Sequence, residues 1–139
     1  MITLPGGRTV RARSLRVPPP PGPPAFGLYL GSRSAARRRD PGMTWPRRWL
    51  VWPDFRTPRH PDEARAAIEA LHARAGSELV EVACGGGIGR TGTVLACLAT
   101  LDGLGPDDAV AWVRSHHHRR AVETPGQRRW IRWFAESPG

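Results

Sequence analysis

Apolar positions along the chain follow two rhythms, and the place where each applies divides the sequence. From residue 60 to 76, HPDEARAAIEALHARAG carries Ala64, Ala67, Ile68, Leu71 and Ala75 at three-and-four spacing, the period of one helix face. Pro61 near its start, acids in the first turn and Gly76 at its end bound that helix. Short apolar-aromatic runs closed by turn residues, AFGLYLGS (25–32), RRWLVWPDF (47–55) and ELVEVAC (78–84), fit buried strands instead. TGTVLACLATLDG (91–103) is too apolar for a one-sided helix and predicts one that is buried. Pro106, Asp107 and Asp108 open a further helix through about Ser115, and Thr124 with Pro125 reads as the cap and first turn of a last one, GQRRWIRWFAE.

ITLPGGRTVRARSL, at the start, reads as two short extended runs around Pro5, Gly6 and Gly7, which predicts a hairpin. VPPPPGPP (17–24) fits neither helix interior nor central strand, because proline lacks the amide donor and fixes its own φ; an extended surface connector follows. Strands early and in the middle, with helices dominating the end, point to an α/β chain. Its 139 residues suit one domain, 1–139, with the hairpin and connector of residues 1–25 at its edge.

Composition adjusts this picture in three ways. The 15 prolines and 16 glycines predict prominent loops. The net charge of +9 is carried by arginine alone, since no lysine occurs. The Arg-rich stretches SRSAARRRD (32–40) and HHHRR (116–120) lack the interleaved aromatics of a base-stacking platform, so they read as solvated surface and nucleic acid is not an expected partner. His116, His117 and His118 are adjacent, point in different directions at a helix end, and are expected to be solvated there rather than to bind metal. Cys84 and Cys97 are expected to be free thiols of a reducing compartment. No run approaches the roughly 18 apolar residues that span a bilayer, and the first residues lack the apolar block of a secretory signal. A cytoplasmic chain with no membrane partner is the expectation.

CGGGIGRTG (84–92) carries the candidate chemistry. Strand, glycine-rich loop and helix in that order form an anion cradle: successive amides point inward and the helix adds its positive end. Gly85, Gly86, Gly87 and Gly89 let the backbone curl tightly, with Ile88 between them. This is not the ATP-type cradle, which ends in Lys-Ser or Lys-Thr, whereas Arg90 and Thr91 stand here. Arg90 offers two parallel donors to a phosphoryl group. Cys84, at the mouth of the loop, would lie beneath the phosphorus as a thiolate stabilised by the same amides, and Thr91 would donate its hydroxyl to the sulfur. Expelling an alkoxide from phosphorus also needs a proton donor. Asp54, after Trp52 and Pro53 at a strand end, suits that role on a mobile loop hinged by an aromatic residue.

Together these residues resemble the protein tyrosine phosphatase superfamily, in its cysteine-based tyrosine and dual-specificity branches. CGGGIGRTG is similar to the signature loop, WPD (52–54) to the acid loop, and AVETPGQRRWI (121–131) to the late segment whose glutamine, here Gln127, positions water; taken alone, Gln127 reads equally well as a solvated helix residue. The resemblance implies a central mixed sheet flanked by helices in one compact, phosphatase-like domain. It further implies two-step hydrolysis of a phosphomonoester: attack by Cys84, transition-state stabilisation by Arg90 and the amides of residues 85–90, protonation of the leaving group by Asp54, then attack by water held by Gln127. No metal or other cofactor is implied, and the partner is a phosphorylated protein or a small phosphomonoester.

One departure bears on activity. The family usually has histidine before the cysteine, and Ala83 stands here; fewer hydrogen bonds to the loop and a less favoured thiolate are expected. The alternative is therefore a weakly active or inactive phospho-ligand binding module on the same fold. Sulfur transfer would use such a cysteine loop without needing Asp54 or Gln127, and nucleic-acid binding would survive loss of Cys84.

Overall fold

The computed structural model describes residues 1–137. Five strands, β1 (Ile2–Thr3), β2 (Thr9–Ser14), β3 (Phe26–Gly31), β4 (Arg47–Val51) and β5 (Val80–Cys84), form one sheet in the order β1-β2-β5-β3-β4. β1 pairs antiparallel with β2 as the expected edge hairpin, and the other neighbours are parallel, so the sheet is mixed. β5 lies at its centre, between β2 and β3, with all five of its residues buried. Both faces of that strand are covered, which accounts for its nearly unbroken apolar sequence.

Five helices complete the α/β unit: α1 (Arg33–Arg39), α2 (Pro61–Arg74), α3 (Gly89–Leu101), α4 (Pro106–His116) and α5 (Pro125–Glu136). Leu28, Leu30, Val80, Val82 and Cys84 share the main core with α2 to α5, while the alternate positions Tyr29 and Ala83 face a smaller cluster with Leu15 and Met43. That alternation is the two-residue period of a strand. α3 runs through the main core, buried continuously from Gly89 to Ala99. Leu95 and Leu98 are wholly buried, and each contributes about 1.5–3 kcal/mol of burial free energy. α2 shows the expected one-sided pattern, with Pro61 at its first turn and Ala64, Ala67, Ile68 and Leu71 inward. Among the described residues no helix is long and apolar enough to cross a membrane.

Three boundaries differ from the sequence reading. β4 stops at Val51, which leaves Trp52 to Arg56 as a loop. α3 starts at Gly89, so Arg90 and Thr91 belong to its first turn rather than to the preceding loop. SRSAARRRD is solvated as expected but helical: Ser32 caps α1 by accepting from the Ala35 amide, and no residue of α1 is buried. The connector runs exposed from Val17 to Pro23.

Candidate active site

The glycine loop hangs between the C-terminal end of β5 and the N-terminus of α3, where inward amides and the helix dipole favour an anion. Gly87 has φ +73°, and a Cβ there would lie 2.8–2.9 Å from the backbone of Arg13 and Ser14, so no larger residue fits. Its N–H donates to Cys84 Sγ at 3.2 Å. Two carbonyls of the loop are held from outside. Ser14 Oγ donates to Gly85 O at 2.6 Å. His117 Nε2 lies 2.7 Å from Gly87 O, and since a carbonyl only accepts, that nitrogen carries the proton.

His117 therefore corrects the expectation of three solvated histidines. Only His116 is exposed, stacked on Trp112 at 4.6 Å, and His117 turns inward from the end of α4. Burial lowers the His117 pKa; the Gly87 carbonyl acts in the opposite sense and the charge of His118 adds to the lowering. The neutral ring is thus the favoured form, and it still donates to Gly87.

Behind Cys84, Ala83 is buried against Leu15, Tyr29 and Met43, with Trp45 and Trp49 packed on the same cluster. Tyr29 Oη donates to Glu81 Oε2 at 2.6 Å and accepts from Trp45 Nε1 at 2.7 Å. Glu81 is fully buried and compensated by Arg11 Nε and Arg13 Nε at 2.8 and 2.9 Å. Burial, then the Glu81 carboxylate, drives the Tyr29 pKa upward, so the phenol remains a neutral donor. Aromatic side chains pack around Ala83, while Ser14 and His117 tie down the loop.

Above the cradle, Trp52 is buried, its ring 5.4 Å from that of Trp130 and its Nε1 donating to Arg56 O at 2.6 Å. Arg90 Nη1 donates to Trp52 O at 2.9 Å. Arg90 Nε stands 3.5 Å from Asp54 Oδ1 without hydrogen-bond geometry, so this contact is ionic only. The Asp54 side chain is 48% exposed, and Phe55 beside it has φ +61° and is also exposed. Gln127 is fully buried: its Oε1 accepts from the Glu123 amide at 2.8 Å and its Nε2 donates to Arg56 O at 3.2 Å. The solvated reading of Gln127 is thereby overturned, because this amide links α5 to the acid loop.

Cys84, Arg90, Asp54, Gln127 and the glycines of the loop thus converge on one end of the sheet. Thr91 lies in the first turn of α3, with its hydroxyl buried and without a hydrogen-bond partner among the described residues. Such an orphan group calls for an acceptor. Cys84 departs from the expected open mouth: it is 2% exposed, at the base of the cradle.

Glu123 is the member of the site that the sequence reading missed. A Cβ on Gly89 would lie 1.8 Å from Glu123 Oε1, so this carboxylate rests on the loop itself. Burial and the nearby Asp54 raise its pKa, against the opposing charges of Arg90, Arg120 and His118. Its place just before the Thr124 cap of the helix bearing Gln127 was the available signal. A cavity of about 510 Å³, lined by Phe55, Arg119, Arg120 and Glu123 among others, opens beside it. Among the described residues no group of three or more His, Cys, Asp or Glu converges to hold a metal ion.

A cysteine in an anion cradle, an arginine closing it and a carboxylate above define a phosphatase-type site. The chain belongs to the dual-specificity family of cysteine-based phosphatases: residues 51–136 match the model described as PTP-SAK, a Swiss Army Knife protein, DSP-PTPase phosphatase domain. It is accordingly a hydrolase of the protein tyrosine phosphatase type. Its fold is that of several solved phosphatases. A mutant form of Tk-PTP is 22% identical with a TM-score of 0.66, over 80% of this chain and 76% of that one. Kinase-associated phosphatase (KAP), solved with its catalytic-site cysteine changed to serine, is 18% identical with a TM-score of 0.65, over 78% and 67%. PTPMT1 in complex with PI(5)P is 16% identical with a TM-score of 0.62, over 80% and 76%.

Proposed function

We propose that this chain hydrolyses phosphomonoesters, phosphotyrosine or a related protein phosphoester first among them, through a phosphocysteine at Cys84. The observation that carries the reading is the Gly87 N–H aimed at Cys84 Sγ within a loop that Arg90 closes and Asp54 overlooks. In the first step the Cys84 thiolate attacks phosphorus; an S–P bond forms, the P–O bond to the leaving group breaks, and Asp54 protonates the departing oxygen. Loop amides and Arg90 hold the equatorial oxygens, replacing solvent with fixed donors. In the second step a water gives its proton to Asp54 and attacks phosphorus, the S–P bond breaks, and phosphate leaves with the thiolate restored. Gln127, whose amide here joins the Glu123 N–H to the Arg56 carbonyl, is assigned the positioning of that water once the acid loop opens, and the buried Thr91 hydroxyl the role of donor to the leaving sulfur. Gly85, Gly86, Gly87, Ile88 and Gly89 frame the phosphate. A cytoplasmic setting is part of this reading.

A second reading, a phospho-ligand binding module, is favoured by one observation: Cys84 is nearly sealed. Hydrolysis requires the acid loop to lift from Arg90 before a substrate enters. Turnover of p-nitrophenyl phosphate that disappears in Cys84→Ser and falls in Asp54→Ala supports the hydrolase; phosphate binding with no turnover in the unmodified chain supports the module.

A further inference from the structure

The charges around the cradle are unevenly balanced. On one side Arg90 contacts Asp54, and Arg119 and Arg120 line the cavity beside Glu123. At the sheet, Arg11 and Arg13 are held by Glu81, and Arg47 by Asp40. Arg16 stands on the other side of the loop with no carboxylate and no hydrogen-bond acceptor for its guanidinium among the described residues.

Its position is built rather than incidental. Leu15 N donates to Cys84 O at 2.9 Å, which extends the β2–β5 pairing to the root of the loop. Ser14 Oγ, while donating to Gly85 O, accepts from Arg16 N at 3.1 Å. The same hydroxyl that holds the loop therefore also fixes the Arg16 backbone, and the side chain folds over Gly85. A Cβ on Gly85 would lie 3.2 Å from Arg90 Nη2, 3.8 Å from Arg16 Nη2 and 3.9 Å from Arg16 Nε. Two guanidiniums thus flank one glycine, Arg90 closely and Arg16 at ordinary contact distance.

We infer that Arg16 forms a subsite for a second anionic group, phosphate or carboxylate, placed close to the phosphate bound in the cradle. This rests on the proposed phosphomonoester chemistry and narrows it to substrates with two neighbouring anionic groups. An unpaired guanidinium offers such a group a paired, charge-assisted contact that the engaged arginines do not.

Two measurements test this. In the first, kcat/KM is determined for a phosphotyrosyl-glutamate peptide and for a vicinal bisphosphate of a small polyol, each relative to p-nitrophenyl phosphate, in the unmodified chain, Arg16→Ala and Arg16→Lys. The ratio should fall about tenfold in Arg16→Ala for at least one of the two, and partly recover in Arg16→Lys; which of them responds identifies the source of the second group. A ratio unchanged for both overturns the subsite, including the case in which every substrate weakens together, which would make Arg16 part of the cradle. In the second, calorimetry compares pyrophosphate with inorganic phosphate. A preference for pyrophosphate that Arg16→Ala removes supports the subsite even in a chain without turnover; equal loss for both ligands, or no preference, overturns it. Absence of turnover together with an Arg16-dependent preference would remove the hydrolase reading and leave the subsite standing.

Discussion

Two loops meet over Cys84, and they are held in opposite ways. The signature loop is fixed along its length: Ser14 and His117 hold two of its carbonyls, Gly87 presses on the backbone of Arg13 and Ser14, and α3 behind it is buried. The acid loop is hydrogen-bonded to the rest of the protein at its ends only, with one ionic contact from Asp54 to Arg90. Trp52 and Arg56 are tied to Arg90, Trp130 and Gln127, while Asp54 and Phe55 at the tip face solvent. Such a contrast suits a rigid anion cradle served by a proton donor that can move, because transition-state stabilisation depends on preorganised donors and substrate entry depends on opening.

Variants separate the two loops. Gly87→Ala combines a disfavoured φ with a backbone clash, so it should lower kcat by at least about a hundredfold and lower Tm as well. Gly86→Ala meets open space and should leave Tm unchanged, a difference that thermal unfolding reads directly. Asp54→Asn should lower kcat about a hundredfold with only a small change in Tm, since the side chain is half exposed and its one contact, with Arg90, is ionic and long. Its effect should be larger for phenyl phosphate than for p-nitrophenyl phosphate, because the poorer leaving group needs the proton more. An equal effect on both esters would separate Asp54 from leaving-group protonation.

Smaller effects sharpen the contrast in rigidity. His117→Ala and Ser14→Ala each remove one hydrogen bond from a loop carbonyl and should lower kcat about three- to tenfold. His117→Gln places an N–H near the position of Nε2 and should recover part of that loss, whereas a purely space-filling role for His117 would give no recovery. Glu123 has the mildest expected influence. Its raised pKa keeps the carboxyl protonated to higher pH than an ordinary glutamate; as pH rises through that pKa, a negative charge appears beside the cradle and opposes phosphate. KM should therefore climb as that charge forms, and Glu123→Gln should flatten the climb. A KM profile identical in the two proteins would mean that the carboxylate points away from the phosphate.

Much of this contrast is legible in the residues themselves. Glycine filling, the terminal Arg90 and the apolar runs on either side disclose a strand, a cradle and a buried helix, because each is a local consequence of residue type. α1 does not declare itself as a helix: arginines dominate it, and its Ser32 cap is a weak signal without an apolar face. His117 and Glu123 escape for another reason. Neither side chain carries a local pattern, and their roles appear only when α4 and the segment before α5 fold back onto residues 87–89. Gln127 reads equally well as solvated, since its burial depends on Arg56, far away in the chain. The same holds for Ala83, whose consequence depends on Tyr29 and Met43 filling the space beside it.

The central claim is that Cys84 takes the phosphoryl group covalently. The most direct measurement is rapid acid quench of the protein with excess p-nitrophenyl phosphate, followed by peptide mass spectrometry. The account predicts the mass of one phosphoryl group on the peptide containing Cys84, together with a burst of nitrophenol equal to the enzyme present. Turnover that leaves Cys84 unmodified, or a phosphoryl group found on another residue, would contradict it.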